Sequence, residues 1–157
     1  MIVFISLFVI AALVGADQLI KYLVVRFLEP VGYVDIIPGV LRFRYVENTG
    51  AVFGSFSSHT LVLTVVSVIL LVGTVIYLIK NKDKSKFVNA CLILMVSGGI
   101  GNIIDRIRLK YVVDFIEPLF VNFAVFNFAD CLITVGAFAL IFFVLYDTFK
   151  GNGKKRV

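Results

Sequence analysis

Charge is scarce in this sequence. Only 16% of its residues are Asp, Glu, Lys or Arg, where an ordinary soluble domain has about a quarter. Metal chemistry has little to build on. There is one histidine, His59, and the two cysteines, Cys91 and Cys131, lie in apolar stretches without metal-ligand spacing. Both cysteines read as buried free thiols. No Lys or Arg precedes the first apolar run, so the basic leader of a secretory signal peptide is missing, although Val14-Gly15-Ala16 resembles a small-residue cleavage site. The first run is therefore expected to be retained as a helix. Nothing resembles a nucleic-acid module, and no nucleic acid is expected as a partner. The net charge of +5 comes from short basic clusters beside apolar runs, which points to membrane orientation.

What is present in excess is apolar length. The 157 residues, enough for one domain, are 61% hydrophobic, and mean hydropathy is +1.05. Residues 1–16, 48–79 and 87–104 carry no charge, and 125–146 is interrupted only by Asp130. A membrane span needs about 20 mainly apolar residues. The pattern predicts an all-α membrane protein with four transmembrane helices, over roughly 1–22, 60–79, 87–104 and 125–146. The whole chain, 1–157, reads as a single polytopic domain with a basic tail over 150–157. Gly151-Asn152-Gly153 in that tail is expected to be disordered.

Lysine and arginine density sets the orientation. Lys80, Lys82, Lys84 and Lys86 crowd one loop, and Lys150, Lys154, Lys155 and Arg156 crowd the tail. The two clusters are two spans apart and share a side, which the positive-inside rule makes cytoplasmic. Both termini then face the cytoplasm, and the charge-balanced segments 17–59 and 105–130 face outward. Segment 17–59 is too long for a turn. Leu41-Arg42-Phe43-Arg44-Tyr45 alternates as a strand does, after a Pro38-Gly39 turn. A small extracytoplasmic β-sheet element is expected between helices 1 and 2.

On this topology the polar residues in or beside the spans gather at the outer face. They are Asp17 and Lys21, Asn48-Thr49-Gly50, Asn102 with Asp105-Arg106, Asp114 in the outer loop, and Asn127 with Asp130. Polar groups at such depth are functional candidates. Asp17 has Lys21 at i+4, the spacing of a helical ion pair, and Asp105 has Arg106 and Arg108 close by. Asp114 has its nearest cation four residues away, and Asp130 has none within helical reach. Two carboxylates in that setting can share a proton and act as one base and one acid. On pattern alone they read equally well as helix-end or cap aspartates. A proton-coupled transporter would also carry an intramembrane acid, but would not need two free carboxylates at one face. Gly99-Ile100-Gly101 lacks the third glycine of a nucleotide loop and reads as close helix packing. Ser55, Ser57, Ser58 and His59 invite a Ser/His dyad but lack a nucleophile turn.

The ordered segments Asp17-Gln18-Leu19-Ile20-Lys21, Asn48-Thr49-Gly50-Ala51-Val52-Phe53, Gly98-Gly99-Ile100-Gly101-Asn102-Ile103-Ile104-Asp105-Arg106, Val112-Val113-Asp114-Phe115 and Phe126-Asn127-Phe128-Ala129-Asp130 resemble the motif set of the lipoprotein signal peptidases, or signal peptidase II. The resemblance runs from about residue 11 to 146. It implies a bacterial intramembrane aspartic endopeptidase of the cytoplasmic membrane. Such an enzyme cuts diacylglyceryl-modified prolipoproteins on the amino side of the lipidated cysteine. Asp114 and Asp130 would be catalytic. Asn48, Gly50, Asn102, Asp105, Arg106, Asn127 and Ala129 would support the site or hold substrate, with Asp17 and Lys21 as structural neighbours. The implied partners are prolipoprotein, membrane lipid and globomycin-type inhibitors, with no metal and no cofactor. Arg106 is expected to hold a substrate oxygen rather than to pair with Asp105, because Arg108 is within reach of that acid.

Overall fold

The computed structural model describes residues 2–50, 59–81 and 85–153. Helix α1 (Ile2–Leu23) runs into one π-helical turn, Val24–Leu28. A hairpin of β1 (Tyr33–Ile37) and β2 (Leu41–Asn48) follows. Then come α2 (His59–Asn81), α3 (Lys86–Leu109), β3 (Val112–Pro118) and α4 (Phe128–Gly153). Three helical stretches are long and apolar enough to cross a membrane: Phe4–Leu28, Lys86–Leu109 and Phe128–Lys150. The helix expected at 60–79 is present as α2, in which the apolar stretch is the shorter Ser67–Lys80.

Helix α3 is the hub, packed against α1, α2 and α4. Its approach to α4 depends on missing side chains. A Cβ on Gly98 would collide with the carbonyl of Ala129, and one on Gly136 would lie 2.7 Å from the carbonyl of Cys91. Small residues let helix backbones meet where lipid supplies no hydrophobic drive. The outward faces are the reverse. Phe4, Phe8, Phe138 and Phe142 are each at least 70% exposed, an apolar surface suited to lipid.

The hairpin is built as its sequence suggests. Pro38 and Gly39 occupy a turn closed by Val40 N–H on Ile37 O at 2.9 Å, with Gly39 at φ +73°, the left-handed value that favours glycine. The sheet, however, has three strands in the order β1-β2-β3, all antiparallel. The expectation of a sheet confined to the segment between helices 1 and 2, with Asp114 in a loop, is corrected here. Val112–Phe115 is buried on both faces, so it lacks the alternation by which a half-exposed strand is recognised.

Two helix ends also differ from expectation. Helix α3 runs past residue 104 to Leu109, and Lys110 closes it in the left-handed conformation at φ +72°. Asp105, Arg106 and Arg108 are therefore helical. Helix α4 continues through Gly151–Gly153, where disorder was expected. Thr148 Oγ1 satisfies itself on Val144 O at 2.8 Å, and no proline interrupts the run. Residues 154–157 of the basic tail, Lys82 and Lys84 of the dense loop, and Ser55, Ser57 and Ser58 lie outside the described residues.

Candidate active site

Five elements carry the site: the C-terminal halves of α1 and α3, strand β3, the end of β2, and the first turn of α4. The start of α4 is held by a bridge in which Phe126 N–H donates to Ile116 O at 3.0 Å. Asn127 then caps the helix. Its Oδ1 accepts from Asp130 N–H at 2.9 Å, while Asp130 Oδ2 accepts from Asn127 N–H at 3.2 Å. This reciprocal exchange is a capping box. Asp130 is thus a helix-end aspartate, but with one oxygen only. Its other oxygen, Oδ1, accepts from Asn102 Nδ2 at 2.7 Å.

Asp114 sits on β3 with 1% exposure. In register Asn48 lies opposite Val112 and Val46 opposite Asp114, so Asn48 is one diagonal step away, a distance side chains span across a sheet. Asn48 Nδ2 donates to Asp114 Oδ2 at 2.7 Å, and Asn127 Nδ2 donates to Asp114 Oδ1 at 2.6 Å. Each asparagine is oriented from its other end. Gly50 N–H, at φ +80°, donates to Asn48 Oδ1 at 2.8 Å. Asn102 Oδ1 accepts from Lys21 Nζ at 2.9 Å and from Asn127 Nδ2 at 3.2 Å. Among the described residues the two aspartates therefore face amide donors only, and none of the described ion pairs includes either. Burial pushes the Asp114 carboxyl up to about 6; the Asn48 and Asn127 hydrogen bonds and Lys21 work against this, and the Asp130 charge adds to it.

A second buried cluster stands beside the pair. Lys21 Nζ lies 3.1 Å from Asp17 Oδ2, as its i+4 spacing predicts, and 2.8 Å from Asp105 Oδ2. Asp17 Oδ1 accepts from Ala129 N–H at 3.1 Å, which ties α1 to α4. Asp105 Oδ2 accepts from Val113 N–H at 3.2 Å, which ties α3 to β3. The expected pairing of Asp105 with Arg108 is corrected. Asp105 points into the bundle toward α1 at 2% exposure, while Arg108 reaches Gln18 Oε1 at 3.3 Å on the exposed side. Gln18 was missed as a site residue. Its Nε2 lies 3.0 Å from Asp105 Oδ1 and 3.2 Å from Gly101 O. The available signal was an amide between Asp17 and Lys21 in an apolar helix.

Arg106 turns the other way. It lines a cleft of about 260 Å³ with Asp130, Asn102, Leu71, Val96 and Ile133. Its wall mixes these polar side chains, with Ser67 and Thr74 of α2, and apolar ones. Among the described residues no group of three or more His, Cys, Asp and Glu side chains is arranged to hold a metal.

Residues 9–146 match the sequence profile of the family described as signal peptidase (SPase) II. The lipoprotein signal peptidase of Streptococcus thermophilus strain CNRZ 1066 is 41% identical over 132 residues, covering 84% of this chain and 86% of the relative. That of Caldanaerobacter subterraneus subsp. tengcongensis is 39% identical over 141 residues, covering 90% and 96%. A bacterial membrane enzyme solved by the in meso method at 2.3 Å superposes with TM-score 0.80 at 30% identity, covering 91% of this chain and 88% of that one. With three apolar helices and such neighbours the protein is a multi-pass membrane protein, and the match over nearly its full length shows that this chain belongs to the signal peptidase II family.

Proposed function

We propose that this chain is an aspartic endopeptidase that removes the signal peptide from diacylglyceryl-modified prolipoproteins, cutting on the amino side of the lipidated cysteine. Family membership supports a protease that takes signal peptides off prolipoproteins. The observation that carries the finer reading is the carboxylate pair Asp114 and Asp130, both held by Asn127, which donates its side-chain amide to Asp114 and its backbone N–H to Asp130, with Asn48 and Asn102 donating to the other oxygens.

In this reading Asp130, which borders the cleft, is the base. Water attacks the scissile carbonyl carbon and gives a proton to Asp130. Asp114, whose carboxyl is pushed up to about 6, gives its proton to the carbonyl oxygen, producing a gem-diol. The Asp130 proton then passes to the leaving nitrogen, the C–N bond breaks, and a gem-diol hydroxyl returns a proton to Asp114. General acid–base transfer of this kind contributes about 10²–10⁴-fold. Arg106 offers its guanidinium fork to a carbonyl or lipid ester oxygen. The apolar cleft wall of Leu71, Val96 and Ile133 suits acyl chains that stay in the bilayer, and globomycin-type inhibitors would compete there.

The chain acts as one polytopic domain with α2 as a fourth span, both termini cytoplasmic and the aspartates at the extracytoplasmic face of the bacterial cytoplasmic membrane. The Lys/Arg density of 80–86 and the tail supports this orientation. A cysteine near residue 83 should be labelled only from the cytoplasm and one near residue 35 only from outside; the reverse would refute it. The test of function is steady-state cleavage of precursor with and without the diacylglyceryl group. The modified form should be cut at least about tenfold faster, and Arg106→Lys should lose about tenfold on it, the worth of one charge-assisted contact. Equal rates on both precursors would sink lipid-dependent recognition.

A further inference from the structure

The ammonium of Lys21 is 3% exposed and has three hydrogens to place. It finds three acceptors: Asp105 Oδ2 at 2.8 Å, Asn102 Oδ1 at 2.9 Å and Asp17 Oδ2 at 3.1 Å. Two of these belong to carboxylates, which together more than offset its single charge. The third is the carbonyl end of the amide whose other end donates to Asp130 Oδ1 at 2.7 Å. We infer that Lys21 is a positioning residue for the aspartate pair, acting through the side-chain amide of Asn102. The inference rests on the aspartate-pair reading above.

The argument is one of polarity. An asparagine amide fits its site in two orientations that differ by exchange of oxygen and nitrogen. With Oδ1 toward Lys21, Asn102 presents an N–H donor to Asp130. Reversed, it would set its NH₂ against an ammonium and its oxygen against a carboxylate, and both contacts would repel. Asn127 adds to the bias, because its Nδ2 also donates to Asn102 Oδ1 at 3.2 Å while reaching Asp114 Oδ1 at 2.6 Å. A charge on α1 thereby sets which atoms both aspartates meet. Gly101 makes the approach possible, since a Cβ there would collide with the Asp17 carboxylate. The charged groups around this relay are Asp17 and Lys21 from α1, Asp105 and Arg106 from α3, Asp114 from β3 and Asp130 from α4. Arg106 approaches from the cleft side, and among the described residues only Lys21 touches the Asn102 oxygen as a cation.

The test is cleavage of the diacylglyceryl-modified precursor by the full chain across pH. Lys21→Met leaves Asp17 and Asp105 without their cation and could fail to fold. Lys21→Met with Asp105→Asn removes one charge of each sign, and Asp105→Asn alone is its control. Asn102→Ala leaves the ion cluster intact and removes only the relay. Relative to their controls, the Lys21 variant and Asn102→Ala should each lower kcat about 100-fold with KM within about twofold, the cost of a misplaced catalytic group. Both should move the acidic limb of the kcat profile to higher pH, because an amide donor to the ionised pair is gone. In the Asn102→Ala background the Lys21 change should cost less than about threefold more, since both act on one contact. Full multiplication of the two losses, or a wild-type pH profile in folded Asn102→Ala, would overturn the inference. Asp114→Asn run alongside separates the failures. If it cleaves, the aspartate pair itself is wrong; if it is dead while the relay variants keep the wild-type profile, only the role of Lys21 falls.

Discussion

Between α1 and α3, Asp17 and Asp105 share the Lys21 ammonium at 3.1 and 2.8 Å; on β3 and α4, Asp114 and Asp130 meet, among the described residues, only amide and backbone N–H donors at 2.6 to 3.2 Å. Both clusters are built of carboxylates withdrawn from water. They differ in whether a cation is supplied. A buried carboxylate paired with a cation serves as a joint. Here Asp17 ties α1 to α4, and Asp105 ties α3 to β3. Asp114, bound by amides, has its carboxyl pushed up to about 6 by burial. Cation-paired and amide-bound carboxylates thus stand side by side, and in the function proposed above the second set moves protons.

The contrast can be broken most severely in the pair. Asp114→Asn or Asp130→Asn should each lower the cleavage rate by about 10⁴-fold or more, as loss of one member of a catalytic unit does, with expression and membrane insertion near wild type. Turnover within about tenfold of wild type by either variant would remove it from catalysis. The ion cluster should answer in stability instead. Asp17→Ala strips Lys21 of one partner and leaves the Ala129 N–H unmet, at a cost of about 3–5 kcal/mol for breaking a buried pair. Thermal unfolding in detergent measures this. Unchanged unfolding with lost activity would exchange the roles of the two clusters.

The smallest effect concerns pH. Asp114 rises from its ordinary 3.8 to about 6 in the folded protein. The folded state therefore holds a proton that the unfolded chain releases first, and stability falls as pH climbs from about 4 to about 6, then levels. The full difference corresponds to about 3 kcal/mol. Asp114→Asn has no such proton, and the amide donor it leaves unmatched costs the same at every pH. Its stability relative to wild type should therefore improve between pH 4 and pH 6.5. Parallel stability curves would show that Asp114 is not held up by burial.

Much of this was legible from residue order. The apolar runs located all four helices, Pro38-Gly39 located the turn, and the i+4 spacing gave the Asp17–Lys21 contact. The absence of a helical cation singled out Asp114 and Asp130 as different from Asp17. What stayed hidden has a common cause. Strand β3 is buried on both faces and so shows no alternation. Asp105 has two arginines near it in sequence and takes neither, because a helix turns residues three apart only roughly to one side and its inward side here belongs to α1. Gln18 gave no signal beyond being polar.

The sequence by itself determined the lengths that fit a bilayer, the one end of the spans at which the polar residues gather, and which acids have no cation along their own element. These follow from periodicity and from interactions that act within a turn or two. Only the tertiary structure decided who binds whom. Asn48 and Asp114 are 66 positions apart, Gln18 and Asp105 are 87, and Asp17 and Ala129 are 112. A hydrogen bond or ion pair is won within about 3 Å and at a narrow angle, so the orientation of three asparagines, and with it the division between the cation-paired and the amide-bound carboxylates, exists only once α1, β2, α3, β3 and α4 have packed.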